Sequence, residues 1–214
     1  MRLPAWAFRP VGAKQWDRLL WASGAVSLAG ILGSTLVPAT AELAVLFSIT
    51  LLIGGPYGLF LPFAYEPVII VFARLHPVAL VAGIAAVGAT AVEYVNYRLY
   101  GAALDWERLR PARDWRVARA IVAGFRLQPF STVAFCALTP IPFWIVRVAA
   151  AMDGYPAGRF LLAHAVGRYP RFWIYGSLGL LIPLSAGQLL VGALVGSGVV
   201  VGGMVVWMRW RGRG

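Results

Sequence analysis

Cysteine is nearly missing from this chain: Cys136 stands alone among 214 residues, so no intramolecular disulfide can form. Cys136 reads as small apolar filler. Histidine is almost as scarce, with two, and no Cys/His cluster has metal-ligand spacing, so neither a metal nor any other cofactor is expected. Charge is thin as well. Asp, Glu, Lys and Arg make up 13% of the chain, about half the usual share of ~25%. That shortage leaves no room for a separate soluble domain. No Ser/His/Asp or Cys/His set is suggested by spacing, and His164 has no evident partner in the sequence, so no catalytic residue is assigned and the chain is not read as an enzyme. A phosphatase built on Arg147, Arg168 and His164 is the remote alternative.

Apolar residues fill the space that charge leaves. They make up 60% of the chain, and mean hydropathy is +0.76, far outside the soluble range. The expected class is an all-α integral membrane protein, one domain over residues 1–214. Net charge is +11, and all but one of the 19 basic residues are arginine, Lys14 being the exception. These residues flank apolar runs rather than coat a soluble surface, which argues against a nucleic-acid partner and for topology signals beside anionic headgroups.

Residues 1–18 form a short basic leader with Arg2, Arg9, Lys14 and Arg18. Leu20 to Val37 reads as a first spanning helix. Ala39-Thr-Ala41 resembles a leader cleavage site, but the uncharged run before it is longer than a signal core of about 7–15 residues, so a retained helix is expected. From Leu43 to Ala73 the run holds Gly54-Gly-Pro56, Gly58, Pro62 and Glu66-Pro67, too many breakers for one straight helix. It predicts a helix–break–helix hairpin, with Arg74 and His76-Pro77 at its return. Val78 to Leu104 then spans, carrying Glu93, Tyr94, Asn96, Tyr97 and Arg98 on its second half.

Six arginines (108, 110, 113, 116, 119 and 126) lie between Asp105 and Gln128. Residues 115–126 predict a surface helix with Trp115, Ala118, Val122 and Phe125 inward, its amphipathicity weakened by Arg119 close to that face. Leu127 to Met152 is again apolar and broken, at Pro129, Pro140 and Pro142, and it ends at the turn signal Asp153-Gly-Tyr-Pro156. Phe160 to Ile182 predicts another span, holding His164, Arg168 and Arg171 in its first half, with Pro170 as a kink. Leu189 to Met208 predicts the last. Its Gly192/Gly196 and Gly198/Gly202 spacings suit close helix packing and are compatible with a homo-oligomer without requiring one.

Four crossings place the N-terminus, the Arg-rich segment and the Arg-rich tail on one side, which the positive-inside rule makes cytoplasmic. The two broken segments then enter from opposite faces, giving two opposed re-entrant hairpins in an inverted repeat. Such an architecture places a binding site near the midplane.

Thr139-Pro-Ile-Pro-Phe-Trp144, followed by Gly154-Tyr-Pro, Phe160 and Gly167-Arg168, resembles the signature of the DedA/VTT superfamily, the SNARE-associated Golgi protein family. Glu66-Pro67, Gly88 and Glu93-x-x-x-Tyr97-x-x-x-Gly101 resemble its first-half pattern, so the likeness covers residues 43–180. It implies lipid translocation or scrambling, of phospholipid or undecaprenyl phosphate, in the bacterial inner membrane with both termini cytoplasmic. Bacterial members often carry two arginines around the second hairpin. Here the earlier position, near Ala137, is apolar, and only Arg147 remains, with Arg168 as a substitute. The resemblance therefore leaves both the bacterial-type anionic-lipid site and proton coupling open for this chain.

The residues themselves suggest how such a site would work. A phosphate headgroup crossing the midplane needs cations and oriented donors, for which Arg147 and Arg168 are the candidates. Glu66 and Glu93 are candidate proton carriers or counter-charges. Pro62, Pro67, Pro140, Pro142 and Trp144 are read as hairpin-shaping. Two alternatives stand beside lipid transport: a proton-coupled exporter of small cations or drugs that uses the two glutamates, and a non-transporting scaffold for envelope homeostasis.

Overall fold

The computed structural model describes residues 41–55, 65–104 and 116–211, together with Trp21 and Ala25. The expected helix at 20–37, Pro62, and most of the Arg-rich segment lie outside the described residues. Within them the chain is entirely helical. In order, the helices are α1 (Ala41–Gly54), α2 (Tyr65–Ala73), α3 (Val78–Leu104), α4 (Arg116–Leu127), α5 (Pro129–Leu138), α6 (Phe143–Asp153), α7 (Ala157–Gly179) and α8 (Ala186–Arg211).

Two of these, α3 and α8, are long and apolar enough to cross a membrane, and the bent pair α4–α5 adds a third if it counts as one span. The bend between α4 and α5 is 102°. Helix α7, with 23 residues, is about 34 Å long at 1.5 Å per residue, so length alone would let it span. Arg159, Arg168 and Arg171 lower its apolarity, and its faces explain why it still suits lipid. Leu162, Val166, Tyr169, Trp173 and Leu178 are exposed, while Phe160, Ala163, His164, Gly167 and Phe172 are buried. Its outer face is apolar and its inner face carries the polar groups, the reverse of a soluble helix.

The short helices are short for identifiable reasons. Pro140 disfavours the helical conformation for the residue before it, and Thr139 is accordingly extended (φ −89°, ψ 164°). Pro142 then caps α6. With 10 and 11 residues, α5 and α6 each reach only about 15–17 Å, half of a hydrocarbon core. Pro67 sits in the first turn of α2, where its missing N–H costs nothing. Helix α6 ends at Gly154, the one glycine in the left-handed region (φ 67°) among the described residues. There the Tyr155 N–H returns to the Ala150 carbonyl in a Schellman-type closure.

Side-chain contacts to a carboxylate tie each short-helix pair at its ends. Glu42, at the start of α1, meets His76, just past α2, at 2.7 Å, and Arg126, just before α5, meets Asp153, the last residue of α6, at 2.5 Å. Each pair therefore returns to the level from which it left. Arg74 donates to the carbonyls of Gly179, Ile182 and Leu184 at the C-terminal end of α7, placing the ends of α1–α2 there. The ends of α5–α6 lie at the N-terminal end of α7, across the Gly154–Pro156 turn. Breaks and ends thus alternate along α7.

The two halves repeat one plan: short helix, break, short helix, proline, long helix. Pro77 opens α3 and Pro156 opens α7, and the eleventh residue of each long helix, Gly88 or Gly167, lies against the first short helix of its own half. A Cβ on Gly88 would come within 2.2 Å of the Thr50 hydroxyl, and one on Gly167 would come equally close to the Ala134 backbone carbonyl. Helix α4 is more clearly amphipathic than its sequence suggests: Val122 and Phe125 are buried, while Ala120, Ile121, Ala123 and Arg126 face outward.

The glycine contacts make a distinguishable prediction. Gly167→Ala should destabilise by about 1–3 kcal/mol, because a backbone carbonyl cannot step aside. Gly88→Ala should cost less and be relieved by adding Thr50→Ala, since the obstacle there is a side chain. Thermal unfolding in detergent of the three variants checks this order.

A buried arginine cluster between the helix breaks

Three arginines and two glutamates meet where the start of α2 and the end of α5 come together at α7. Arg147, on α6, holds Glu93, on α3, with a two-point grip: Nε to Oε1 at 2.5 Å and Nη2 to Oε2 at 2.6 Å. Both side chains are deeply buried, 13% and 4% exposed. The parallel N–H donors of guanidinium match the two carboxylate oxygens, and the Tyr100 ring lies 4.9 Å from the Arg147 Cζ. Glu93 pairs across 54 residues rather than with Arg98, and Arg147 is buried against α3. Asn96, one turn along α3, donates to Glu93 Oε2 at 3.4 Å and to the last carbonyl of α1, that of Gly54, at 2.7 Å.

The second pair bridges the two breaks. Arg171 Nη2 donates to Glu66 Oε1 at 2.6 Å, at the start of α2, and Nη1 donates to the Thr139 carbonyl at the end of α5. One guanidinium thus ties the inner end of each short-helix pair to α7. Its Nε is buried without an acceptor among the described residues. Tyr65, beside Glu66, donates to the Thr50 carbonyl of α1 at 2.8 Å, closing the first half at the same level.

Arg168 lies one turn before Arg171 on the same face of α7. Its Nε donates to His164 Nε2 at 3.2 Å, and its Cζ sits within 6 Å of three ring centroids: Phe143 at 5.6 Å, Tyr65 at 5.9 Å and Phe172 at 5.9 Å. Ring faces attract a cation at this range. None of the described carboxylates is available to it. Glu42 is taken by His76, Asp153 by Arg126, Glu66 by Arg171 and Glu93 by Arg147. Among the described residues the cluster therefore carries three guanidinium groups against two carboxylates, and the surplus cation is Arg168.

All four expected substrate residues, Glu66, Glu93, Arg147 and Arg168, lie in this cluster, the two glutamates as counter-charges to arginines. Arg147 is committed to Glu93 rather than open to a ligand. Arg171, which the sequence places in the first half of the same span without a site role, joins the cluster as well. Its spacing of three from Arg168 puts both on one helix face, a signal that was present in the sequence. Pro140 and Pro142 form the second break, whereas Trp144 is 55% exposed on its outer side. Among the described residues, no group of three or more His, Cys, Asp or Glu is arranged to hold a metal.

Breaking one partner of a buried pair leaves the other charge without compensation, at about 3–5 kcal/mol. Glu93→Gln should therefore lower stability strongly, and Glu93→Gln with Arg147→Gln should recover much of the loss. Glu66→Gln should cost less, because the Glu66 side chain is 24% exposed against 4% for Glu93. Chemical unfolding of the single and double variants measures the coupling. No family model, curated protein or solved structure matches the chain.

Proposed function

We propose that this protein moves phosphate-bearing lipid between the two leaflets of a membrane, as a translocase or scramblase of the DedA/VTT type. The carrying observation is the surplus cation: Arg168, half-buried, ringed by aromatic side chains and left without a carboxylate among the described residues. A charged side chain at bilayer depth costs at least ~2.5–3.5 kcal/mol on insertion scales. A phosphate headgroup offers the charge and paired oxygens that Arg168 lacks.

In this reading the two short-helix pairs are re-entrant hairpins entering from opposite faces, with their breaks at the midplane, in an inner membrane with cytoplasmic termini. The headgroup passes between the breaks along α7 while its acyl chains stay in lipid. Arg168 receives the phosphate. The neighbouring Arg171, whose Nε has no acceptor among the described residues, adds a second donor. Arg147 and Glu93 act as a fixed strut. The arrangement favours an anion over the exporter of small cations, because both glutamates already hold an arginine.

Reconstitution in liposomes with headgroup-labelled phospholipid tests this, read by loss of label to a membrane-impermeant reductant. The wild-type protein should expose inner-leaflet label faster than empty vesicles do. Arg168→Gln should slow exposure at least about tenfold, the loss of one charge-assisted contact, with Arg168→Lys intermediate because it keeps the charge without the fork. A wild-type rate equal to that of empty vesicles rejects lipid movement.

A further inference from the structure

Arg168 is not merely placed; it is aimed. Its Nε–H can donate to His164 Nε2 only if that nitrogen carries a lone pair. His164 must then hold its proton on Nδ1, and Nδ1 lies 3.0 Å from the Thr90 hydroxyl oxygen. The chain of contacts therefore has one direction: His164 Nδ1–H donates to Thr90, and Arg168 Nε–H donates to His164 Nε2. His164 is 1% exposed, and the Phe143 ring meets it edge-on at 5.0 Å, so the imidazole has little freedom to turn. Thr90 belongs to α3 and His164 to α7, which makes the contact a tertiary one between the long helices of the two halves.

We infer that Thr90 and His164 are positioning residues that fix Arg168 through its Nε and leave its two Nη groups for an anionic ligand. The inference rests on the reading of Arg168 as the anion receptor. Anchoring through Nε holds the guanidinium plane in place before a ligand arrives, so less side-chain freedom is lost on binding. The neutral imidazole suits this role better than a carboxylate would. It accepts the hydrogen bond without cancelling the positive charge that draws an anion, as Glu93 does for Arg147 and Glu66 for Arg171. The tautomer is set at Nε2 by the Arg168 Nε–H, which can only donate, and the Thr90 hydroxyl accepts the proton that this leaves on Nδ1.

Thr90→Val removes the acceptor and keeps the volume, while Thr90→Ser keeps the hydroxyl. Histidine labelled with 15N in the full-length protein gives only two side chains to resolve, His76 and His164, and His76→Gln assigns them. The wild type and Thr90→Ser should show His164 protonated on Nδ1 with Nε2 bare. In Thr90→Val the buried Nδ1–H has no acceptor, so its hydrogen-bonded shift should be lost, while Thr90→Ser keeps it. In liposomes that move lipid, Thr90→Val should raise the half-saturating concentration of phosphate-bearing lipid about tenfold, the loss of one hydrogen bond to a charged group. The maximal rate should change less, and Thr90→Ser should restore affinity. A wild-type His164 carrying its proton on Nε2, or an unchanged Nδ1–H shift in Thr90→Val, overturns the inference whether or not lipid moves. Normal tautomers in wild-type protein that moves no lipid would instead reject the transport reading and leave the positioning chain intact.

Discussion

A guanidinium taken out of water must be given acceptors, and that requirement organises the centre of this protein. Three arginines are drawn into one region, where an apolar surrounding cannot solvate them. Two are neutralised by Glu93 and Glu66, from α3 and α2. Further acceptors come from backbone at and beyond helix ends: Arg171 takes the Thr139 carbonyl at the Pro140 break, and Arg74 takes three carbonyls at and past the end of α7. The breaks therefore do two things. They shorten the helices, and they release carbonyl groups that a continuous helix would keep for itself.

Close packing makes the arrangement reachable. Gly88 and Gly167 let α1 and α5 approach the long helices to distances at which a methyl group would clash, so their ends arrive beside α3 and α7 respectively rather than a side chain's width away. Tyr97 reinforces the second half by donating to the Tyr155 carbonyl at 2.5 Å. Asn96 does the same for the first half at Gly54. The long helices thus carry, in the same stretch, both the small residues that admit the hairpins and the polar ones that hold their ends. A helix with this division has to keep its polar groups inward and its apolar face out, as α7 does.

Much of the fold was legible in the sequence because it rests on local chemistry. Pro140 and Pro142 break a helix wherever they occur, and Gly154 before Tyr155-Pro156 marks a turn. The run from Val78 is long and apolar enough to span by counting alone. The pairings were not legible. Glu93 and Arg147 are separated by 54 positions, and Glu66 and Arg171 by 105, and no spacing rule connects residues so far apart. Arg171 gives no sign of its partner in the sequence, since it lies with Arg168 in the first half of a helix, where positive charge ordinarily marks the cytoplasmic side. The surplus of cations could be counted in the sequence. Which arginine would be left over depended on who reached the two glutamates first in space.

In the proposed role, Arg168 recognises phosphate and not the lipid tails or the remainder of the headgroup. The most direct measurement is the ratio of transfer rates, in the same liposomes, for a phosphate-bearing lipid and a phosphate-free lipid with identical acyl chains. Wild-type protein should favour the phosphate-bearing lipid by at least about tenfold, the worth of one charge-assisted contact, and Arg168→Gln should bring the ratio close to one. Equal rates for the two lipids in the wild type, or a preference that survives Arg168→Gln, would contradict Arg168 as the phosphate receptor.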